Sequence, residues 1–186
     1  MTSGIQLVLL RCPTCSNNMS GAAESVFLYC NGCGAGFEIT PEDEWKPVKV
    51  YFARTHKEAK TFFSFWAYDA RLDLKQRETK KSFWGGDSKG LIEAFEQRGT
   101  IRFYVSAYLA DVGLKESHAL QLTFQQPELE YLQRQSQLPG VAVTDQDARK
   151  LADDLFLTSE IEQKDMLRSL SYQLHLENPF LIAIAF

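Results

Sequence analysis

The sequence predicts an α+β fold in two parts: a small cysteine-bearing unit over residues 1–44, and a mixed domain with a mostly antiparallel sheet over residues 45–186. Three observations predict it. All four cysteines fall between residues 12 and 33, as two C-x2-C pairs. Strict alternation of apolar and polar residues marks long strands from Trp66 to Lys75 and from Ile101 to Leu109, and a shorter one at Tyr172–Leu176. Between residues 114 and 170 the period changes to that of helices, so the helices form an insert between strands and not a βαβ repeat.

The bulk composition fits an ordinary folded chain. Of 186 residues, 45% are hydrophobic, 24% charged and 12% aromatic, which excludes a low-complexity or disordered class. No apolar run approaches the roughly 18–20 residues that span a bilayer. The apolar start, Ile5–Leu10, lacks a basic flank and reads as a strand leading into Cys12, not as a signal peptide. A cytoplasmic location is the expectation. The net charge of -4 is unevenly spread: residues 45–118 carry 14 Lys/Arg against 9 Asp/Glu, and residues 119–186 carry 5 against 10. Two such halves can neutralise each other, or one can face a charged partner.

The cysteines stand as Cys12/Cys15 and Cys30/Cys33, fourteen residues apart. A two-residue gap lets a tight turn aim both sulfurs at one point, and two turns complete the tetrahedron that zinc prefers. Gly34 and Gly36 after the second pair, and Ser16, Asn17 and Asn18 after the first, offer residues tolerant of positive φ. Ser25–Tyr29 should return as a strand into Cys30, and Phe37–Ile39 should begin another. Strand, knuckle, strand, knuckle, strand is a zinc ribbon. Paired disulfides would require an oxidising compartment. A thioredoxin-type site needs a single C-x-x-C opening a helix. The expected cofactor is therefore one structural zinc ion on Cys12, Cys15, Cys30 and Cys33, in a closed shell with no position for catalysis.

The ribbon holds one basic residue, Arg11, and four thiolates around zinc would take residues 1–40 from -1 to about -3. That is the wrong sign for gripping phosphate.

Val48–Phe52 is a short strand. Trp66, Tyr68, Ala70, Leu72 and Leu74 share one face of the next, and Gln76–Lys81 should be a turn or loop. Asp87 or Ser88 can cap a helix through Glu93–Gln97 that stops at Gly99. The next strand places Ile101, Phe103 and Val105 inward, with Arg102, Tyr104 and Tyr108 outward. Leu114–Gln125 should be helical, with a second short helix over Glu128–Gln135. Thr144 and Asp147 make an approximate capping box ahead of the stripe Ala148, Leu151, Ala152, Leu155, Phe156. Ser159 can cap a further helix to about Leu170. Asn178–Pro179 should turn the chain before a closing strand, "FLIAIAF".

No catalytic constellation is assembled. "GGDSKG" (85–90) lacks the spacing of a phosphate loop and reads as a turn and helix cap. His56, His118 and His175 share no ligand spacing. The aromatic and basic residues of segment 61–108 instead suggest a contact surface, with Tyr104, Tyr108, Arg71, Lys75, Arg77, Lys80 and Lys81 as its partner-binding candidates.

"CPTC…CNGCG" resembles zinc-ribbon proteins over about a fifth of the chain. The stretches "FSFW" (63–66), "YVSAY" (104–108), "TFQQP" (123–127) and "IAIAF" (182–186) resemble a group of bacterial hypothetical proteins in which a ribbon precedes an α+β domain. That resemblance implies the two-part architecture and no activity. The function expected from the sequence is a non-enzymatic adaptor or accessory subunit that binds another protein. The alternative is a nucleic-acid-binding or transcription-associated protein using segment 61–108.

Overall fold

The computed structural model describes residues 10–19, 21–22, 24–40, 44–80, 90–108, 112–135, 137–161 and 166–186, with the side chains of residues 80, 112–117 and 166 not included. The expected strand Ile5–Leu10 falls almost wholly outside these residues, as do Lys81, Asp87, Ser88 and Leu109.

Among the described residues, a small antiparallel sheet comes first: β1 (Phe27–Tyr29), β2 (Gly36–Ile39) and β3 (Trp45–Val48), in that order. Lys49 alone separates β3 from β4 (Val50–Arg54), which opens the large sheet. The single strand expected over Val48–Phe52 is thus two strands in two sheets. The large sheet has the order β6-β5-β8-β4-β7, with β5 (Phe62–Lys80) and β8 (Met166–Ala185) at its centre, β6 (Thr100–Ser106) at one edge and β7 (Glu130–Leu132) at the other. All its pairings are antiparallel except β4 with β8. The helices are α1 (Leu91–Arg98), α2 (Val112–Gln125) and α3 (Asp145–Ile161). The α+β class with a mostly antiparallel sheet is as the sequence predicts.

Strand length is where local reading falls short. β5 and β8 run side by side for 19 and 20 residues, much longer than the usual strand of about five or six. Gln76–Lys80, expected as a loop, continues β5 and pairs with Ser171 back to Met166. Helix α3 runs on through Ser159 to Ile161, so Ser159 lies inside that helix; its hydroxyl donates to the Phe156 carbonyl (2.7 Å). Of the further helix expected up to Leu170, residues 162–165 lie outside the described residues and Met166–Leu170 belongs to β8 instead. Asn178–Pro179 is a bulge and not a turn: Ala67 faces Phe180 and Asp69 faces Glu177, so two residues of β8 oppose Tyr68 alone. Asn178 takes φ 50° there, and asparagine tolerates that region better than most residues. The second short helix expected over Glu128–Gln135 is strand β7, which pairs with β4.

Where the central strands cross the core, at Ser64–Tyr68 and Leu181–Ala185, both faces are buried. Trp66, Tyr68, Phe103, Val105 and Leu181 pack on Leu91 and Phe95 of α1 and Ala148, Ala152 and Phe156 of α3. On the opposite face Phe65, Ala67, Ile182 and Ile184 pack with Tyr104, Tyr108 and Leu122 of α2. A strand covered on both sides reads as a continuous apolar run, which is why "FLIAIAF" does not alternate.

The expectation that Tyr104 and Tyr108 face outward is corrected: they are only 5% and 7% exposed. Alternation sorts residues onto two faces but cannot say that α2 covers the second.

That helix also closes the β6 edge. The Thr123 hydroxyl accepts from the Tyr104 N–H (3.0 Å), and the Gln126 side chain bonds both the N–H (2.8 Å) and the carbonyl (2.6 Å) of Arg102. An unpaired strand edge is a template for aggregation, and these side chains occupy it.

Helix capping follows the sequence in one case and departs in another. Thr144 accepts from the Asp147 N–H (3.1 Å), as its motif predicts. In α1 the N-cap position is Gly90, which has no side chain to offer, so neither Asp87 nor Ser88 stands at that position. The buried carboxylate of Glu160 reaches across from α3 and accepts the Ile92 N–H (3.1 Å). Gly99, at φ 74°, ends α1 and donates to the Phe95 carbonyl (2.7 Å).

Candidate metal centre

The two cysteine pairs fold into the same turn twice. The Cys12 N–H donates to the Asn17 carbonyl and the Ser16 N–H to the Cys12 carbonyl, each at 2.8 Å. In the second turn the Cys30 N–H donates to Ala35 (2.9 Å) and the Gly34 N–H to Cys30 (2.8 Å). The positive φ needed after each pair falls on Ser16 (61°) and Gly34 (81°). Asn17, Asn18 and Gly36 do not supply it; Gly36 is a strand residue of β2. The two turns meet closely. A Cβ on Gly32 would stand 1.9 Å from the Asn17 amide nitrogen, so the Asn17 side chain would have to move to admit one.

All four sulfurs lie within 4.8 Å of one another, with Cys12–Cys33 at 3.6 Å and Cys15–Cys30 at 3.5 Å. A tetrahedral ion with metal–sulfur bonds of about 2.3 Å requires edges of about 3.8 Å. All four are free thiols. The set is positioned to bind one metal ion, and Cys12 and Cys30 form its buried side.

The electrostatics of the bare thiols favour the same conclusion. Burial opposes ionisation of Cys12, yet the N–H groups of Thr14 and Cys15, with the thiols of Cys33 and Cys30, bring its pKa down to about 6. Cys15 moves the other way. The Asn17 N–H lowers it, but Cys30, burial and the remaining thiols push it up to about 12. One thiolate is favoured and further ones repel it, so full ionisation requires a cation among them.

Residues far along the chain hold this centre. The Arg134 guanidinium donates to the Gly32 carbonyl (2.7 Å) while its methylene stem lies beside Gly34, and the Tyr29 hydroxyl donates to the Gln135 carbonyl (3.1 Å). Arg134 brings a positive charge to the rim of a thiolate cluster. Nothing in its Gln-rich surroundings marks it out in the sequence.

Behind the centre, the small sheet is locked onto the large one. Phe27 stands edge-on to Trp66 (6.3 Å between centroids) and Tyr29 edge-on to Phe52 (5.8 Å). Lys46 of β3 bridges Glu38 (3.5 Å) and Asp145 (3.0 Å), and the Tyr68 hydroxyl donates to Asp145 (3.0 Å). Arg149 closes the cluster on Asp145 (3.1 Å). Burial, then the nearby Asp145 carboxylate, raises the Tyr68 pKa well above the ordinary range, which keeps its proton in that bond. Glu38 and Asp145, both buried, are functional in docking and had no motif to reveal them.

The candidate partner-binding residues are scattered. Tyr104 and Tyr108 are covered by α2, and Tyr108 also meets Nδ1 of His118 (3.1 Å). Arg71 and Lys75 are exposed on β5, where Arg71 lies 3.7 Å from Asp73. Arg77 turns to Glu160 (3.8 Å). The side chains of Lys80 and Lys81 lie outside the described residues. Among the described residues the exposed aromatics are instead Tyr51 and Tyr131, one on each of the adjacent strands β4 and β7. No helix among the described residues is long and apolar enough to cross a membrane.

No protein-family model matches the chain, and no significant match is found among curated proteins or solved structures.

Proposed function

We propose that this protein is a cytoplasmic adaptor or accessory subunit whose ribbon carries one structural zinc ion and whose sheet domain docks another protein. Four thiolates in a tetrahedral cluster suit zinc, and with all four positions filled by protein the ion folds the ribbon and leaves no site for substrate.

The observation that carries the docking reading is the fate of the basic segment. Arg54 pairs bidentately with Glu130 (2.6 and 2.9 Å), Lys46 with Asp145, Arg102 with Asp69 (3.0 Å) and Arg77 with Glu160. Three of these four acids come from the acidic C-terminal half, so part of the charge asymmetry is neutralised inside the fold. Phosphate recognition depends on cations free to displace counterions, which weighs against the nucleic-acid alternative. Exposed aromatic surface beside neutralised charge suits a protein partner better.

The test is reconstitution. A partner isolated by crosslinking in the source cell is purified and mixed with the zinc-loaded chain. Binding that persists between about 50 and 200 mM salt supports the reading, since a phosphate-driven complex loses several orders of magnitude over that range. Steep salt-dependent binding to DNA or RNA, with no protein complex, would reverse it.

A further inference from the structure

The two sheets diverge at Lys49, and the gap they leave is a built pocket. The ladder between β4 and β8 begins at Val50 facing Leu181; upstream of it β3 swings away toward the ribbon. A cavity of about 550 Å³ opens there, within the range typical of ligand sites. One wall is aromatic: Tyr131 meets Tyr51 edge-on (6.0 Å), and Tyr51 meets Phe180 edge-on (5.2 Å). Tyr51 and Tyr131 stay 40% and 59% exposed, although most of the other large aromatics are covered.

Next to that wall is a cationic group held in place by the bulge. Arg102 lies over the Phe180 ring (4.8 Å) and pairs with Asp69, whose other oxygen accepts from the Asn178 amide (2.8 Å). A bulge that spends its asparagine on fixing an arginine re-aims side chains at a site, which is a recurrent use of bulges. Lys46 at the rim is already balanced by Glu38 and Asp145. The Lys49 ammonium has no ion pair or hydrogen bond among the described residues. The pocket therefore offers an aromatic wall beside one unbalanced positive charge.

We infer that this pocket receives a segment of a partner protein that presents an aromatic side chain next to a carboxylate. The ring packs against Tyr51 and Tyr131, and the carboxylate meets Lys49 and the outward nitrogens of Arg102. A polyphosphate strand would need more free cations than the pocket holds. The inference rests on the adaptor reading and names the chemistry of its docking site.

The experiment titrates the zinc-loaded full chain, labelled with nitrogen-15, with serine-flanked Glu-Phe-Glu, Glu-Ala-Glu and Lys-Phe-Lys peptides and with oligothymidylate. Glu-Phe-Glu is expected to shift the amides of Lys49, Tyr51, Arg102 and Asn178. Glu-Ala-Glu and Lys-Phe-Lys should bind at least about tenfold more weakly. Lys49→Glu and Tyr131→Ala, both at exposed side chains, should each weaken the Glu-Phe-Glu complex about tenfold with zinc content unchanged. Equal binding of Lys-Phe-Lys, shifts confined to another surface, no shift with any peptide, or tighter binding of oligothymidylate would each overturn the inference. A reconstituted partner complex indifferent to Lys49→Glu would overturn the pocket and leave the adaptor reading standing. Failure to find any partner would remove the adaptor reading, while the peptide titration would still decide the pocket.

Discussion

The backbone N–H of Asp145 donates to the carboxylate of Glu38 at 2.6 Å, joining the first turn of α3 to the middle strand of the cysteine-bearing sheet. Both residues are buried, and Lys46 lies against both carboxylates. The small sheet is thereby docked by a polar network as well as by Phe27 and Tyr29.

Glu38→Ala should therefore destabilise the whole protein. It leaves the Asp145 N–H without its acceptor in a buried setting and removes one counter-charge of Lys46. A loss of about 1–3 kcal/mol is expected in urea unfolding of the zinc-loaded chain. Glu38→Gln, which keeps an acceptor oxygen, should cost less. Equal stability of all three proteins would show that the network contributes nothing to docking.

Gly34→Ala and Arg134→Ala should weaken metal binding without touching a sulfur. Gly34 sits at φ 81°, where a Cβ costs roughly 1–2 kcal/mol, and that Cβ would also stand 2.7 Å from the Arg134 side chain. About tenfold weaker zinc affinity is expected for Gly34→Ala, and a smaller loss for Arg134→Ala, in competition with a chromophoric chelator. Unchanged affinity in both would mean that the second turn is not strained by what surrounds it.

Thr123→Val should be costly although it preserves shape. Thr123 is fully buried, and its hydroxyl both accepts the Tyr104 N–H and donates to the Ala119 carbonyl (2.8 Å). Leaving that N–H unpaired is expected to cost about 1–3 kcal/mol in chemical denaturation. Faster aggregation should accompany it, because the β6 edge loses part of its cover.

Alkaline unfolding should trace to buried tyrosines. Burial raises the Tyr104 pKa from its ordinary 10 to about 12. Below pH 10 both the folded and unfolded chains keep the proton, and no stability depends on it. Between pH 10 and 12 the unfolded chain ionises and the folded chain does not, so stability falls as pH rises, by about 2–3 kcal/mol in the limit. Tyr104→Phe should flatten that decline in urea midpoints measured across the range. An unchanged slope would place the loss elsewhere.

The legibility of this molecule in its sequence follows the range of the interactions involved. The ligands and turns of the metal centre are legible because the two-residue gaps and the residues after them lie within a few positions of each cysteine; its clasp by Arg134 and Gln135 is not. The capping box at Thr144 and the stop at Gly99 are local in the same way. Gln76–Lys80 was opaque because a polar strand there is stabilised only by β8, some ninety residues further on. Glu130–Leu132 is a strand only because β4 pairs with it. Tyr104 and Tyr108 show the same limit in another form. Their face could be read from alternation, but its cover, α2, could not. The Gly90 position, capped by distant Glu160, and the bulge at Asn178, opposite Tyr68, likewise depend on partners that no window of sequence contains.

In the proposed function Cys12, Cys15, Cys30 and Cys33 hold one structural zinc ion that folds the ribbon against the sheet. Metal analysis by mass spectrometry of the chain purified under reducing conditions tests this most directly, followed by hydrogen exchange before and after chelation. The predicted result is one zinc per chain, and loss of protection on chelation in residues 10–40 and in the clasping segment around Arg134 and Gln135. Less than about half an equivalent of zinc, with the cysteines joined in two disulfides and protection unaffected by chelator, would contradict it.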